Sequence, residues 1–523
     1  MTQRQEPEEE VTDVLVVGAG PTGLMLANWL VKLGVDVTLV DAKDGPTSES
    51  RALGVHSRSM ELYDQLGVVD AVLHQAVRVE SMRQGFGRTA FAPIPLTGLG
   101  RGITPYPGMY TLEQSANERI LAAHLGALGG SVRWRHRLVS LGSADGGQLA
   151  HGDGPTGPWT IRARYVVGCD GASSTVRALI GTAFEGTTSR RTFYLVDAVG
   201  VHGLAPASVN IRQGATEFLL AFPMQPDGEG RNGQRLIGIA ADDDAPAVTE
   251  DFARTRLAEA FGVTYESSRW FTTYRVHHRI AAHFRTGPVF LAGDAAHVHS
   301  PVGAQGMNTG LQDAHNLAFT LADVILRHAP ERVLDRYEAE RRPVALHLLR
   351  TTDVLFRGIT SRSRPATLVR RYVPRLVLPL GVAVLPHLPL GRRLAGYLGQ
   401  IRIRYRMPGM PDAPGGRRRD AVVGRRLPWT GGNVEVLRDA SWQVHAYGAP
   451  ADAVAQAAQA ASELGLALHV FPSVGSTRLR TGRLYLVRPD GFVAAAAGST
   501  DVRRVFRAAL AEQAPHLLPA PGR

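Results

Sequence analysis

Residues 13–41, DVLVVGAGPTGLMLANWLVKLGVDVTLVD, decide the fold of this chain. Residues 13–17 form an apolar, β-branched run of strand length, and the glycine-rich run 18–23 follows at once. A helical pattern over about 24–33 ends before Gly34, which stands in the position of a C-terminal cap, and a second strand over 35–40 ends at Asp41. This order predicts a βαβ unit with glycines at its first turn and an acid after its second strand.

Each part of this unit has a physical reason. Gly18 permits the tight turn, Gly20 lets the backbone approach a pyrophosphate, and Gly23 lets the helix pack closely on the strand. The N–H groups and the dipole of the helix start attract a diphosphate, and Asp41 can accept hydrogen bonds from a ribose. The unit therefore predicts dinucleotide binding, and by itself it does not separate FAD from NAD.

The composition restricts the other possibilities. The chain has 523 residues, of which 44% are hydrophobic and 20% charged, so it can form two or three globular domains. The net charge of +11 is almost entirely arginine, since Lys32 and Lys43 are the two lysines. No basic block is interleaved with aromatic residues, so we expect no nucleic-acid partner. Cys169 is the single cysteine, which excludes an internal disulfide and a thiolate metal cluster.

The sequence also argues against a membrane protein. Residues 1–10 are acidic and polar, without the apolar run of a signal peptide. The most apolar later stretch, 373–390, is interrupted by four prolines and is a poor membrane span. We therefore expect a soluble, cytoplasmic protein.

Further motifs follow along the chain. A strand pattern over 161–167 ends at Gly168-Cys169-Asp170-Gly171, and Asp170 thus stands at a strand's carboxyl end, where open α/β sheets bind ligands. Residues 184–283 alternate between polar and apolar, which predicts an inserted β-rich domain. A strand over 288–292 precedes Gly293-Asp294, and the loop 300–308 opens a long amphipathic helix. His297 and His299 lie two apart, but no third ligand completes a metal site, so we expect no metal.

The predicted domains are 1–183 and 286–408 for dinucleotide binding, 184–285 for the β-rich insertion, and 409–523 for a C-terminal domain. The boundary before the last domain is the Pro-, Gly- and Arg-rich stretch 408–419. The C-terminal domain has helical patterns over 451–464 and 501–513 and strand patterns over 467–471 and 484–487.

The order of residues 18–23, Asp170-Gly171, Gly293-Asp294 and the loop 301–308 resembles the single-component, FAD-dependent aromatic hydroxylases. This group includes para-hydroxybenzoate hydroxylase and the polyketide hydroxylases, and the resemblance covers about residues 11–345. The last hundred residues look like the thioredoxin-like tail of the phenol and polyketide branch, here without any cysteine. The resemblance implies an α/β fold: a Rossmann-like FAD-binding domain, an inserted β-sheet substrate domain and a C-terminal thioredoxin-like α/β domain.

The resemblance also implies the site residues. The expected FAD-binding residues are Gly18, Ala19, Gly20, Pro21, Thr22, Gly23, Asp41, Ala42, Arg51, Gln114, Asp170, Gly293, Asp294, Gly306, Met307 and Asn308. Arg51 and Pro301 are the expected catalytic residues beside the flavin, and Phe193, Phe222 and Met224 are the candidate residues lining the substrate pocket. Asp41 replaces the commoner Glu, and Ser300 and Ala304 stand where Pro and Gly are frequent.

These residues predict an FAD monooxygenase that uses NAD(P)H as a transient reductant and O2 to hydroxylate an aromatic, polyketide-like small molecule through a flavin C4a-hydroperoxide. Baeyer–Villiger oxidation by the same peroxide, a flavin oxidase or dehydrogenase, and a flavoprotein that only binds a ligand remain alternatives. Hydroxylation is favoured because it is the commoner chemistry of the resembled family and needs no additional device in the protein, whereas Baeyer–Villiger oxidation needs the peroxide held as an anion, typically beside a positive charge. We expect a monomer or a homodimer.

Overall fold

The structure, a computed structural model, describes residues 9–47, 52–240, 248–299, 303–360, 363, 365, 367–374, 396–408, 420–473 and 478–518. The predicted residues Arg51, Ser300 and Pro301 lie outside these ranges.

The strands are, in chain order, β1 (Glu10–Val17), β2 (Val37–Asp41), β3 (Gly54–Val55), β4 (Val77–Val79), β5 (Ser81–Phe86), β6 (Thr89–Ala90), β7 (Ile94–Pro95), β8 (Met109–Thr111), β9 (Val132–Trp134), β10 (Arg137–Ala144), β11 (Gly147–Gly154), β12 (Gly157–Gly168), β13 (Phe184–Val199), β14 (Ser208–Gln213), β15 (Phe218–Met224), β16 (Gly233–Ile239), β17 (Ser267–Ala281), β18 (Arg285–Thr286), β19 (Val289–Leu291), β20 (His297–Val298), β21 (Gln443–Tyr447), β22 (Ala467–Phe471), β23 (Leu484–Val487) and β24 (Val493–Ala497).

The helices are α1 (Pro21–Leu33), α2 (Ser57–Leu66), α3 (Val69–Gln75), α4 (Gln114–Ala127), α5 (Thr175–Leu179), α6 (Glu250–Phe261), α7 (Gly306–Leu326), α8 (Asp335–Thr360), α9 (Ala451–Glu463) and α10 (Val502–Gln513).

The first sheet contains the predicted βαβ unit. Its strand order is β10-β11-β12-β1-β2-β9. Strand β19 pairs with the C-terminal end of β12. The pairs β2–β1, β1–β12 and β12–β19 are parallel, whereas β10 and β11 form an antiparallel hairpin extension. Helix α1 begins at Pro21, three residues earlier than predicted, because proline at the first helical position needs no N–H partner. Gly34 ends it in the left-handed conformation with φ 90°, which confirms the predicted cap.

The second sheet confirms the β-rich insertion that the alternation of residues 184–283 predicted, and it has apolar clusters on both faces. Its strand order is β20-β17-β13-β16-β15-β14-β5-β6, and β7 pairs with β5. One face packs on α6 through a cluster that includes Leu219, Ala221 and Leu257. The other face carries Phe218, Leu220 and Phe222 of β15 and packs on residues of the first domain. The predicted β-rich segment thus supplies β13–β17, and β5, β6, β7 and β20 come from outside it.

The C-terminal sheet has the strand order β22-β21-β23-β24. The β21–β22 pair is parallel and separated by α9, whereas β21–β23 and β23–β24 are antiparallel and α10 follows β24. This arrangement agrees with the thioredoxin-like domain that the resemblance implied. A small sheet of β3, β8 and β4 lies in the N-terminal part of the chain. Within the described ranges, none of the helices is both long and apolar enough to cross a bilayer.

A buried ionic cluster joins the C-terminal domain to the rest of the chain. The guanidinium of Arg488 donates to both carboxylate oxygens of Glu340 in α8, at 2.5 and 2.9 Å, and to both of Asp490, at 3.0 and 2.5 Å. Asn316 in α7 donates to Glu340 at 2.7 Å. The three charged side chains are at most 4% exposed, so each one depends on the others for its solvation.

We therefore expect Arg488→Leu to destabilise the protein by about 3–5 kcal/mol, because Glu340 and Asp490 would lose the buried guanidinium that donates to both of them. Denaturant unfolding measures this change. The matched control is Arg503→Leu, which removes an exposed pair with Glu463 in the same domain and should cost about 0–1 kcal/mol. Equal losses in the two variants would contradict the assignment.

Candidate FAD and substrate site

Three of the motifs that are expected to bind the cofactor lie where three parallel strands end side by side. Val17 of β1 is in register with Gly168 of β12, and Gly168 is in register with Leu291 of β19. The glycine run, the Asp170 motif and the Gly293-Asp294 motif are therefore neighbours, although they are far apart in sequence. This edge of the sheet is where open α/β folds bind their ligands.

The glycine turn has the features of a pyrophosphate cradle. Gly18 has φ +105°, and a Cβ atom there would lie 2.5 Å from the carbonyl oxygen of Cys169. A Cβ at Gly23 would lie 1.9 Å from the carbonyl oxygen of Gly18, so the helix could not pack as closely with any other residue. By contrast, a Cβ at Gly20 would meet nothing within 4 Å. Gly18 and Gly23 thus fix the turn, and Gly20 leaves room for a ligand against the backbone.

The start of α1 offers its N–H groups to that space. Gly20 is the cap residue, and no side-chain hydrogen bond covers the helix start. The N–H of Ala19 is not directed to that space, because it donates to Oδ2 of Asp41 at 2.6 Å. Asp41 also accepts from the N–H of Lys43 at 2.8 Å, and Ala42 between them is exposed. Asp41 therefore connects the ends of β1 and β2 before any ribose binds.

Gln114 fixes the segment that follows Asp41, together with a residue that sequence reasoning did not assign. The side-chain oxygen of Gln114 accepts from the N–H of Ala52 at 3.3 Å, and its amide donates to Glu118 at 2.9 Å. Glu118, with a side chain 0% exposed, also accepts from the N–H of Thr47 at 2.7 Å and from Lys43 Nζ at 3.3 Å. Gln114 and Glu118 are four residues apart and therefore lie on one face of α4, but the sequence does not reveal the segment that both of them contact.

Asp170 has a local structural partner in α5. Its carboxylate accepts from Ser174 Oγ at 2.5 Å and from the N–H of Val176 at 3.0 Å. Burial raises the pKa of Asp170, and these hydrogen bonds oppose the rise. The carboxylate thus holds the start of α5 beside the strand ends, and its contact with a cofactor stays a prediction.

Thr22 lies between two glycines at the centre of the site. A Cβ on Gly293 would come within 2.5 Å of Thr22 Oγ1, and a Cβ on Gly310 within 2.3 Å. The glycine turn, the Gly293–Ala295 turn and α7 therefore touch with no room for another side chain. Asp294 is exposed at this point.

Helix α7 begins with Gly306, Met307 and Asn308, and Asn308 joins it to the start of α2. The side-chain oxygen of Asn308 accepts from the N–H of His56 at 2.9 Å and from Ser59 Oγ at 2.7 Å. Its amide donates to the carbonyl oxygens of Gly54 at 2.9 Å and Ala304 at 2.7 Å. Burial lowers the pKa of His56 to about 4, so this imidazole is neutral at neutral pH. The helix start has no side-chain cap, which leaves first-turn N–H donors for a ligand.

The candidate substrate residues lie on the second sheet's inner face. Phe193, Phe222 and Met224 are 2%, 5% and 5% exposed and belong to one apolar cluster. The cluster also contains Leu53, and Ala304 packs against it, so the inner face of the sheet meets the segments beside the start of α7. Partly exposed members that the sequence did not indicate include Met109, Trp270 and Tyr274.

A buried ion pair on the same face was also missed. Arg235 donates to both oxygens of Asp197 at 2.6 Å, and its Nη1 donates to the carbonyl oxygen of Ala52 at 3.4 Å. The two side chains are 1% and 6% exposed. Sequence pattern gave no signal, because a charged residue in an alternating strand normally marks the solvent face.

His297, which the sequence placed two residues from His299, contacts the carboxylate of Asp313. Its Nε2 lies 2.7 Å from Oδ2 of Asp313. In the part of the chain that the structure describes, no three His, Cys, Asp or Glu side chains are grouped as metal ligands would be.

Comparisons with known proteins point to the same cofactor. A family model described as an FAD binding domain matches residues 11–352. A rifampicin monooxygenase from Streptomyces venezuelae is 36% identical over 79% of this chain and 83% of its own length. The 12-dehydrotetracycline 5-monooxygenase/anhydrotetracycline 6-monooxygenase of Streptomyces rimosus is 34% identical over 80% of each chain. The solved anhydrotetracycline hydroxylase from Streptomyces rimosus is 28% identical, with a TM-score of 0.72 over 95% of this chain and 99% of that one.

The different surroundings of two glycines predict different defects. Gly20→Val should preserve the thermal unfolding midpoint of the apoprotein but abolish FAD retention, because its side chain fills the open space of the turn. Gly18→Val should lower that midpoint itself, because φ +105° and the Cys169 carbonyl exclude a Cβ. Differential scanning fluorimetry and FAD titration measure the two properties. A Gly20→Val protein with unchanged FAD affinity would remove the glycine turn from the site.

Proposed function

Since this chain belongs to the FAD-dependent monooxygenases that share this FAD binding domain, we propose that it hydroxylates an aromatic, polyketide-like small molecule with one oxygen atom of O2. The proposal includes NAD(P)H as the reductant and oxygen transfer through a flavin C4a-hydroperoxide. The observation that carries it is the meeting of the open Gly20 turn, the Gly293–Ala295 turn and the start of α7 at one edge of the sheet, beneath an apolar sheet face.

FAD supplies the oxygen chemistry when it is bound, and the protein supplies binding, orientation and exclusion of water. The uncapped start of α1 suits the pyrophosphate, and the exposed Asp294 suits the ribityl or pyrophosphate region. The first-turn N–H groups of α7 suit negative charge on the reduced flavin ring. Arg51 and Pro301 remain proposed catalytic residues outside the described ranges.

The apolar face of the second sheet suits a flat, aromatic substrate. Phe193 and Tyr274 stack with ring centres 5.7 Å apart, and burial raises the pKa of the Tyr274 hydroxyl, which is therefore neutral. Such a wall keeps water from the reacting atoms, which protects the oxygenating species from side reactions.

One buried ion pair on this face favours hydroxylation over Baeyer–Villiger oxidation. A peroxide anion would need a positive charge that is not already neutralised. Arg235, the buried cation beside Ala52, is compensated by the two-pronged contact with Asp197. This pair therefore supplies no net positive charge to the site.

Turnover under labelled dioxygen tests the reaction. We expect the protein to purify yellow, to release FAD on acid precipitation, and to oxidise NAD(P)H faster in the presence of a suitable aromatic polyketide. Anhydrotetracycline and rifampicin are the first probe substrates, because similar proteins act on them. Hydroxylation adds one labelled oxygen atom as a new hydroxyl group. A lactone with labelled ring oxygen would indicate Baeyer–Villiger oxidation, and hydrogen peroxide without labelled product would indicate an oxidase.

Two positions on β15 test the proposed substrate face. Phe222→Ala should raise KM for the accepted substrate, because Phe222 lies on the inner face. The control Leu219→Ala lies on the same strand but faces α6, so it should destabilise the fold by about 2–5 kcal/mol with KM unchanged. If Phe222→Ala and Leu219→Ala both lower stability and leave KM unchanged, Phe222 is a core residue only.

A further inference from the structure

A carboxylate in the middle of α7 has no assigned role in the proposed function. Asp313 and Asp323 are the only Asp, Glu, Lys or Arg residues between positions 306 and 326, and Asp313 is 0% exposed. Its Oδ2 accepts from His297 Nε2 at 2.7 Å and from the N–H of Gly293 at 3.2 Å. Its Oδ1 accepts from Arg341 Nε at 2.6 Å. Asp313 therefore holds the backbone of the turn that presents Asp294.

Arg341 keeps this carboxylate charged and in place. Its side chain is 0% exposed, and it also donates to the carbonyl oxygen of Thr309 at 3.2 Å and to the hydroxyl of Tyr405 at 2.9 Å. Burial raises the pKa of Asp313, but Arg341 and His297 lower it more, so the net shift is downward. The ring of Tyr405 stacks on Phe492 of the C-terminal domain, with centroids 4.2 Å apart. The last domain thus contacts the group that holds Arg341.

The turn at Gly293 packs too closely on Thr22 to carry a side chain at this position. Gly293 has φ +61°, and the space where its Cβ would stand is occupied by Thr22. Gly310, one residue after Thr309, has the same restriction. Side chains from other elements hold the backbone of this turn: Asp313 accepts from the N–H of Gly293 at 3.2 Å, and Arg177 donates to the carbonyl oxygen of Ala295 at 2.9 Å.

A buried carboxylate is costly to desolvate, and replacing a buried ion pair with apolar residues is often neutral or stabilising. Stability alone therefore does not explain an acid at this position. A carboxylate does what other side chains of this size cannot, because it accepts from three donors at once. An asparagine can accept with its oxygen only, and its NH2 group would face either Gly293 N–H or Arg341.

We propose that Asp313 is a positioning residue for FAD, which fixes the Gly293–Asp294 turn against the glycine turn, with Arg341 and Tyr405 holding its carboxylate. The proposal rests on the FAD-binding part of the proposed function and not on the oxygen-transfer reaction.

The test compares two buried acids of the same helix. Asp313→Asn should weaken FAD binding roughly ten- to a hundredfold, since one donor of the site loses its acceptor. Asp323→Asn is the matched control: Asp323 is 1% exposed and contacts Arg327 at 2.6 Å and His516 at 3.6 Å, but it lies almost three helical turns from Asp313. FAD affinity is measured by titrating apoprotein and following flavin fluorescence, beside the unfolding midpoint, without substrate or NAD(P)H.

We expect Asp313→Asn to lose FAD affinity beyond what Asp323→Asn loses at a comparable unfolding midpoint. Equal FAD affinities in the two variants would overturn the proposal and make Asp313 a purely structural residue. If Asp313→Asn does not fold, Tyr405→Phe decides, because it keeps the ring on Phe492 and removes only one of the three acceptors of Arg341, the Tyr405 hydroxyl. It should weaken FAD binding severalfold with little change in the midpoint, and unchanged affinity would overturn the proposal. A wild-type protein that binds no FAD would instead contradict the proposed function itself.

Discussion

The contact between the Gly18 turn and the end of β12 is the constraint on which the rest of the structure depends. The backbone at Gly18 passes so close to the Cys169 carbonyl that even a methyl group would overlap it. This approach brings the ends of β1, β12 and β19 to one edge of the sheet, and with them the glycine turn, Asp170 and the Gly293–Ala295 turn. Hydrophobic burial drives the packing of α1 and α7 on the sheet, but only glycine makes the close approach sterically possible.

Buried charged side chains stabilise the segments around this edge of the sheet. Glu118 fixes the segment after Asp41, Asp313 fixes the Gly293 turn, and Arg488 joins Glu340 of α8 to the C-terminal domain. Each group pays a desolvation cost that apolar packing would avoid, but each one holds a backbone N–H or a second charge in a defined direction. Glu340 and Arg341 are neighbours on α8, so the C-terminal domain and the cofactor turn are connected to adjacent residues of one helix. The thioredoxin-like domain, which has no cysteine, thus has a structural connection to the proposed cofactor site.

Because side chains alternate along its strands, the second sheet packs on α6 with one face and faces the segments near the start of α7 with the other. On β15, Leu219 and Ala221 face α6 and stabilise the domain, whereas Phe222 and Met224 face the segments near the start of α7. Asp197 and Arg235 also lie on the inner face, where they form an ion pair and neutralise each other. A face of this kind suits an aromatic ligand, because it is apolar and excludes water. Asp197 and Arg235 bond to each other, and Arg235 also donates to the backbone at Ala52.

The sequence by itself determined the elements whose signal is local. Residues 13–41 predicted the βαβ unit, its glycine turn and the cap at Gly34, because strand and helix periods and glycine conformations are properties of short stretches. The resemblance of four motifs implied FAD and the class of reaction. Only the tertiary structure decided that Asp170 holds the start of α5, that Glu118 and Asp313 anchor turns far away in sequence, and that Arg235 is paired inside the protein. A single sequence gives the same signal for a buried and an exposed charge, because the partners that make burial tolerable are joined by the fold and not by the sequence.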